Sequence, residues 1–190
     1  MSEVASSDDS RVDIRDLLDE FYREPVGHSL LGEFNSVEGV PDPYSDLLDH
    51  HAHMTVTVES HYREKVNVVV HRCRRDQEWY SREITLITQE TGRVVQYGIV
   101  RLDTRTLDDE VWKRIESQAT PLGRVLIEHD VLREVQLCGL WQVQAGESLC
   151  DLMQLGTTRE VYGRTARIFC DKAPAIELLE IVSPTSLASS

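Results

Sequence analysis

The chain has 190 residues, which is a usual length for a single domain. Hydrophobic residues make up 41% of it and charged residues 28%, a composition typical of globular proteins and not of disordered or fibrous ones. With 20 basic and 33 acidic side chains the net charge is −13, which argues against a nucleic-acid partner because such a partner requires a basic face. An anionic small molecule remains compatible, since a pocket can be locally basic in an acidic protein.

The sequence also predicts a compartment. No apolar run approaches the ~18 residues of a membrane span, and the first residues are polar and acidic, without the apolar core of a signal peptide. We therefore expect no membrane partner. The cysteines occur singly, with no CxxC pair, at positions Cys73, Cys138, Cys150 and Cys170. Three of them lie in apolar or strand-like runs, which predicts small buried thiols in a cytoplasmic protein rather than a zinc ribbon or a redox motif.

The first quarter of the chain reads as an extension. Residues 1–10 are predicted as a disordered tail, and apolar residues at helical spacing predict a helix over residues 12–23. Residues 24–46 contain three prolines and three glycines and are predicted as a loop. We therefore assign residues 11–43 to an N-terminal helix and loop extension.

The rest of the chain reads as one α+β domain over residues 44–184, followed by a loose tail over 185–190. Strands are predicted over residues 66–72, 79–88, 93–101, 132–144, 160–170 and 175–183. Helices are predicted over 45–50, 104–117 and 121–128, and residues 146–156 form either a small helix or an excursion. Because many strands follow one another through short turns, the pattern favours one six-stranded antiparallel sheet over a doubly wound parallel sheet.

Alternate residues of a strand share a face, and this sorting places charges among apolar residues. Glu180 shares a row with Ile176, Leu178 and Val182, Arg82 with Ile84 and Leu86, and Arg164 with Ala166 and Ile168. One interpretation is a carboxylate-binding cavity inside the sheet, since the planar arginine fork donates two parallel hydrogen bonds. The other is that these charges reach water at strand ends or form a structural salt bridge.

Two further patterns carry predictions. In the fourth strand, Val135, Leu137, Trp141 and Val143 form one row and predict a single buried face. The run Thr120-Pro121-Leu122-Gly123-Arg124 is typical of a turn whose backbone N–H groups face an anion near a helix start.

Four stretches, in this order, resemble the chorismate lyase (chorismate pyruvate-lyase) family. They are LLDHHAHMTVTVES with its Met54-Thr55 pair, WYSREITL with Arg82-Glu83, TPLGRVLIEHDVL, and YGRTARI followed by IELLEIVSP with Glu180 and Pro184. The similarity covers about residues 44–184, and the Thr-Pro-Leu-Gly-Arg block and the last strand are its most specific parts. The chain resembles a divergent member of this family.

The resemblance implies a six-stranded antiparallel sheet with helical flaps that enclose an internal ligand site. It implies cleavage of chorismate to 4-hydroxybenzoate and pyruvate, without a metal or an organic cofactor. Arg82 would bind a substrate carboxylate, and Glu180 would contact the ring hydroxyl region and assist proton movement. The backbone N–H groups of Met54 and Leu122, with Gly123 in the same turn, would hold a carboxylate.

This chain departs from the family pattern in three places. The extension of about 40 residues has no counterpart, a His50-His51-Ala52-His53 run precedes Met54, and the DKAP turn before the last strand is one residue longer, which bears on the register of Glu180. The histidines lack a second ligand cluster, so we predict solvent-facing side chains at the pocket mouth rather than a metal site.

Alternatives to the lyase remain. The same fold serves as a ligand-sensing domain of bacterial transcription regulators, so a non-catalytic domain that binds a small aromatic acid is the second interpretation. The residues before the fold are acidic and interrupted by glycine and proline, which disfavours a DNA-binding helix pair there. An enzyme with a different aromatic product is a third interpretation, and the oligomeric state, monomer or dimer, stays open.

Overall fold

A computed structural model describes residues 12–23, 26–130, 133–157, 159–170 and 172–183. The predicted tails at residues 1–10 and 185–190, and Pro184, lie outside these ranges. The helices are α1 (Ile14–Asp19), α2 (Gly27–Leu31), α3 (Tyr44–Leu48), α4 (Met54–Tyr62), α5 (Asp109–Glu116), α6 (Leu122–Glu128) and α7 (Glu147–Met153). The strands are β1 (Gly32–Val37), β2 (Val66–Asp76), β3 (Trp79–Thr88), β4 (Val94–Asp103), β5 (Arg133–Ala145), β6 (Glu160–Cys170) and β7 (Ala173–Val182).

All of these strands form one antiparallel sheet in the order β1-β5-β6-β7-β4-β3-β2. The predicted α+β class with a single antiparallel sheet is confirmed, and the six predicted strands are present. The number six was wrong, because β1 pairs with β5 from Gly32↔Ala145 to Val37↔Leu140. Gly32 was taken as a loop residue, but it permits close approach of the strands: an added Cβ would lie 2.4 Å from the Gln144 carbonyl oxygen.

Helices cover both faces of the sheet. α1, α2 and α7 pack on one face around Tyr97, Leu179 and Ile181. The opposite face, called the cavity face below, carries α3 and α4 over Ile84 and α5 and α6 over Leu178. Because the central strand β7 is covered on both sides, both of its side-chain rows are buried.

The predicted single row of β5 was wrong for a local reason. A register shift lies between Leu137 and Gly139, so the alternation of faces inverts there. Val135 and Leu137 belong to the clusters on the cavity face, whereas Trp141 and Val143 pack with the core of the other face. The bulge thus lets one strand contribute apolar side chains to both layers.

The local predictions are adjusted at a few ends. The helix predicted over residues 12–23 is shorter in the structure and corresponds to α1. The Asp13 side chain caps it by accepting a hydrogen bond from the backbone N–H of Arg15. Residues 146–156 contain α7, so of the two predicted alternatives the small helix is correct and the excursion is not. Cys170 is buried, Cys138 and Cys150 are half-buried, and Cys73 is exposed on the edge strand β2. In the part of the chain that the structure describes, every helix is too short or too polar to cross a membrane.

Candidate functional site

A small internal cavity lies between the sheet and the first residues of α4 and α6. It is lined by His53, Met54, Thr55, Val68, Arg82, Ile84, Leu86, Gln96, Gly98, Val100, Pro121, Leu122, Gly123, Ile168, Leu178, Leu179 and Glu180. The structure therefore brings together all five residues selected from the sequence, from both ends of the domain. The cavity measures about 40 Å³, which is room for about three water molecules.

The register of three neighbouring strands builds the floor of this cavity. Arg82 of β3 pairs with Val100 of β4, and Gly98 of β4 pairs with Glu180 of β7. Because residues two apart on a strand share a face, these side chains all point to the cavity face. Gly98 carries no side chain opposite Glu180, and an added Cβ there would lie 3.6 Å from the Ile84 side chain.

Arg82 is a buried cation that has no counter-charge among the residues the structure describes. The residue is only 1% exposed. Its Nε and Nη1 have no hydrogen-bond acceptor among the described residues. Burial lowers the pKa of the Arg82 guanidinium, while the neighbouring Tyr80 hydroxyl raises it. Unpaired donors on a buried ion are costly, so the site is poised to accept an anion.

The charge of Glu180 is balanced by Arg164 and not by Arg82. Its Oε2 accepts a hydrogen bond of 2.8 Å from Nε of Arg164, and its Oε1 lies 3.4 Å from Nε2 of Gln96. Across the described ranges, no ion pair joins Arg82 to Glu180. The sequence allowed two interpretations of these inward charges. Arg82 fits the first, a charge that lines a cavity, whereas Glu180 forms the structural salt bridge of the second.

Arg164 is the functional-site residue that the site prediction omitted, although its row had been placed inward. It pairs directly with Glu180 across β6 and β7. A register shift lies between Ile168 and Phe169, close to the turn, so each glutamate is one residue farther from the hairpin end than its arginine. The pairs Arg164–Glu180 and Arg167–Glu177 are nevertheless directly opposite.

Arg164 also binds the segment that leads into α4. Its Nη1 donates to the His50 carbonyl oxygen at 2.8 Å, and its Nη2 donates to the Ala52 carbonyl oxygen at 3.0 Å. Nη1 also lies 3.5 Å from the Leu48 carbonyl oxygen and 3.3 Å from Nδ1 of His50, so Glu180 and several groups of this segment share one fully buried arginine.

The histidine run is only partly at the surface. His51 is exposed, as predicted, with Nδ1 3.1 Å from the Val135 carbonyl oxygen, and His53 lines the cavity. His50 instead turns inward: Nδ1 accepts the Ala52 N–H at 3.0 Å, so Nε2 carries the proton donated to the Leu47 carbonyl oxygen at 2.8 Å. Burial, then the Arg164 charge, lowers the pKa of His50 below its ordinary value of 6.5. Within the described ranges, no three His, Cys, Asp or Glu residues are grouped to hold a metal ion.

The starts of α4 and α6 meet above the cavity. An added Cβ at Gly123 would lie 3.0 Å from Oγ1 of Thr55, so glycine permits this contact. The first hydrogen bonds of the two helices come from N–H groups of residues 56 and 124, and the N–H groups of Met54 and Leu122 precede them. Glu59 and Arg124 form an ion pair between the two helices farther from the cavity. The proposed carboxylate-binding role of these N–H groups stays a prediction.

Glu83, next to Arg82, faces the opposite layer. It accepts hydrogen bonds from the hydroxyls of Tyr22 at 2.6 Å and Tyr97 at 2.7 Å, and from Nε of Arg72 at 2.7 Å. Burial raises the pKa of Tyr97, and the Glu83 carboxylate raises it further. The N-terminal extension is thereby attached to the back of β3, and its helices α1 and α2 do not cover the cavity.

A larger groove of about 620 Å³ lies on that back face, between α1 and the ends of β2–β4. It is open to solvent, and both Arg101 and Arg74 pair with Glu20 of the same groove, at 3.8 Å and 3.9 Å. A groove of paired surface charges is a weaker candidate than a buried cavity with an unpaired cation.

The fold and the cavity together define an α+β domain in which one antiparallel sheet and a layer of helices enclose a small charged site. No family model matches the sequence, and no curated protein matches it. The C-terminal domain of histidine utilization repressor from Pseudomonas syringae pv. tomato str. DC3000 is similar over 66% of this chain and 98% of that chain, with 11% identity and a TM-score of 0.45. Gene product SA0254 from Staphylococcus aureus subsp. aureus N315 is similar over 84% of this chain and 92% of that chain, with 10% identity and a TM-score of 0.40. At these identities and TM-scores, neither similarity indicates a function.

Proposed function

We propose that the cavity binds a small aromatic carboxylate and that the chain cleaves chorismate to 4-hydroxybenzoate and pyruvate. The observation that carries this proposal is Arg82, a buried guanidinium with two unpaired nitrogens in a cavity whose carboxylate is already balanced. A carboxylate ligand would satisfy those nitrogens, because the two geometries match in a bidentate pair.

The surroundings of Arg82 fit the rest of such a ligand. Ile84, Val100 and Leu178 supply apolar walls for a ring. Chorismate carries a second carboxylate, and the N–H groups of Met54 and Leu122, cavity-lining residues at the starts of α4 and α6, are proposed to hold it. A dianion would thus meet two separate donor sets.

The proposed reaction requires few catalytic groups from the protein. The bond between the ring carbon and the ether oxygen breaks, the oxygen leaves with the side chain as enolpyruvate, and the ring loses one proton and becomes aromatic. Enolpyruvate then takes up a proton and becomes pyruvate, so atoms and charges balance without water or a cofactor. Glu180, whose Oε1 is held only by the long contact with Gln96, is the group proposed to handle the proton.

Ligand entry requires the cavity to open. Its volume of about 40 Å³ is far below the ~300 Å³ of a small ligand pocket. The movable wall is the contact between Gly123 and Thr55, because the sheet floor is fixed by strand pairing. Opening of this wall also makes slow product release an expected property.

A second function is favoured by one observation. The Arg164–Glu180 ion pair holds Oε2 of the carboxylate in a fully buried bond, which limits its freedom to exchange protons. In that case the domain binds an aromatic acid without turnover.

One experiment separates these functions. Purified protein is mixed with chorismate, pyruvate is followed through coupled lactate dehydrogenase, and 4-hydroxybenzoate is identified by chromatography. Release of both products supports the lyase, whereas tight binding of 4-hydroxybenzoate without pyruvate supports the binding function. Arg82→Ala is expected to lose at least ~2 kcal/mol of transition-state binding.

The matched control is Arg101→Ala. This arginine lies on β4, its guanidinium faces the back of the sheet, and it pairs with Glu177. It should retain turnover and binding. If the protein neither turns over chorismate nor binds 4-hydroxybenzoate, the proposal is wrong.

A further inference from the structure

Two arginine–glutamate pairs cross the β6–β7 hairpin on opposite faces, one buried and one part-buried. Arg164 bonds Glu180 at 2.8 Å on the cavity face, and Arg167 bonds Glu177 at 3.2 Å on the back face. Both pairs are directly opposite in the strand register. They have the same chemistry and lie on the same strands, and they differ in burial and in what else each arginine contacts.

Arg164 has contacts that extend beyond its glutamate. The carbonyl oxygens of His50 and Ala52 accept hydrogen bonds of 2.8 and 3.0 Å from its Nη1 and Nη2. These residues directly precede His53 and Met54, which line the cavity. One side chain is therefore bonded both to the cavity carboxylate and to the backbone that begins the movable wall.

The rigidity of this connection follows from the arginine itself. A guanidinium is planar and presents its donors in a fixed fork, so the three accepting groups cannot move independently while the bonds persist. The arginine is fully buried, so an accepting group that moves away leaves a buried donor unpaired, which is costly. A lysine at the same position would keep the charge and lose the fork.

We propose that Arg164 is a positioning residue that sets the Glu180 carboxylate and the start of α4 relative to each other. The proposal rests on the function proposed above as far as turnover is concerned. The coupling itself concerns only the protein and can be measured whether or not chorismate is the substrate.

The test compares Arg164→Lys with its matched control Arg167→Lys. Both variants keep the charge and weaken an arginine–glutamate pair between the same two strands, and both are studied well below their melting temperatures, so that only folded protein is observed. The readouts are hydrogen–deuterium exchange of the peptide spanning residues 48–56 and, where pyruvate is released, kcat and KM for chorismate.

For Arg164→Lys we expect amide exchange in residues 48–56 to accelerate about tenfold, since the two carbonyl bonds are lost. We expect kcat to fall about tenfold, with a smaller change in KM because Arg82 is untouched. Arg167→Lys should leave both quantities unchanged. A merely structural role of Arg164 would lower the melting temperature and leave kcat and the local exchange as in the parent.

The outcomes are distinguishable from failure of the proposed function. If the parent protein releases no pyruvate but Arg164→Lys accelerates exchange in residues 48–56 and Arg167→Lys does not, the positioning role stands and the lyase proposal fails. If exchange in that peptide is unchanged, or changes equally in both variants, the positioning role is overturned.

Discussion

Replacement of Arg82 by methionine is expected to stabilise the ligand-free protein and at the same time to abolish its binding of aromatic acids. The reason is that Nε and Nη1 of Arg82 are buried without protein acceptors. Methionine retains most of the aliphatic stem, so the packing of the side chain is largely kept while the uncompensated charge is removed.

The magnitude follows from the state of the cavity. A buried, unsatisfied donor costs about 1–3 kcal/mol, and a cavity of about 40 Å³ that admits a few water molecules places Arg82 at the lower end. We therefore expect a gain of about 1 kcal/mol, which raises the melting temperature of a domain of this size by about 2–4 °C. Loss of two charge-assisted hydrogen bonds weakens ligand binding by about 3 kcal/mol or more, roughly a hundredfold.

The assay is thermal unfolding of Arg82→Met beside Arg164→Met, with titration of 4-hydroxybenzoate by calorimetry. Arg164 is an equally buried arginine, but its guanidinium is bonded to Glu180 and to two carbonyl oxygens. Removing it leaves a buried carboxylate without its cation, so we expect a loss of about 3–5 kcal/mol. The two substitutions are chemically identical and should have opposite signs.

Two results would refute this reasoning. A destabilisation by Arg82→Met as large as that by Arg164→Met would mean that Arg82 has a protein partner in solution. Unchanged affinity for 4-hydroxybenzoate would mean that the acid does not bind at Arg82.

Three further outcomes follow from the structure. Glu180→Gln keeps the shape of the side chain but removes the proton-handling group, so pyruvate release should fall about 10²-fold or more, and turnover near that of the parent would exclude Glu180 from the chemistry. Gly163→Ala places a Cβ 2.7 Å from the Glu180 carbonyl oxygen and forces β6 and β7 apart, so unfolding by urea should show a loss of about 1–3 kcal/mol, whereas Gly39→Ala, with nothing within 4 Å, should be neutral. Because the pKa of His50 is lower in the folded than in the unfolded protein, its contribution to stability is complete above pH 6.5 and is lost as the pH falls below that value; a pH series of urea unfolding should show this loss in the parent and less of it in His50→Gln.

Much of the site could be predicted because strand alternation is a local property. Arg82 and Glu180 each lie among aliphatic residues of their own strand, and this alone places them on a buried face. The order of the motifs then suggested that both belong to one cavity. The structure places them there, and their roles stay predictions until turnover is measured.

Other features depended on pairing between distant segments and were not predictable from local patterns. β1 forms because β5 is long enough to offer it an edge, and its own short sequence between glycines and prolines resembles a loop. The face inversion in β5 arises from the bulge near Cys138. No residue type in this stretch of the sequence indicates that bulge. Arg164 was found on an inward row, but its bonds to the His50 and Ala52 carbonyl oxygens depend on the path of a segment more than a hundred residues away.

The attachment of the N-terminal extension has a consequence for any shortened form of the chain. A protein beginning at residue 44 would lose β1 and would leave the whole length of β5 as an open sheet edge, a template for pairing with other molecules. It would also lose Tyr22, whose hydroxyl donates a hydrogen bond to Glu83, the residue that follows Arg82 on β3. Such a fragment should aggregate, even though every residue that lines the cavity is retained.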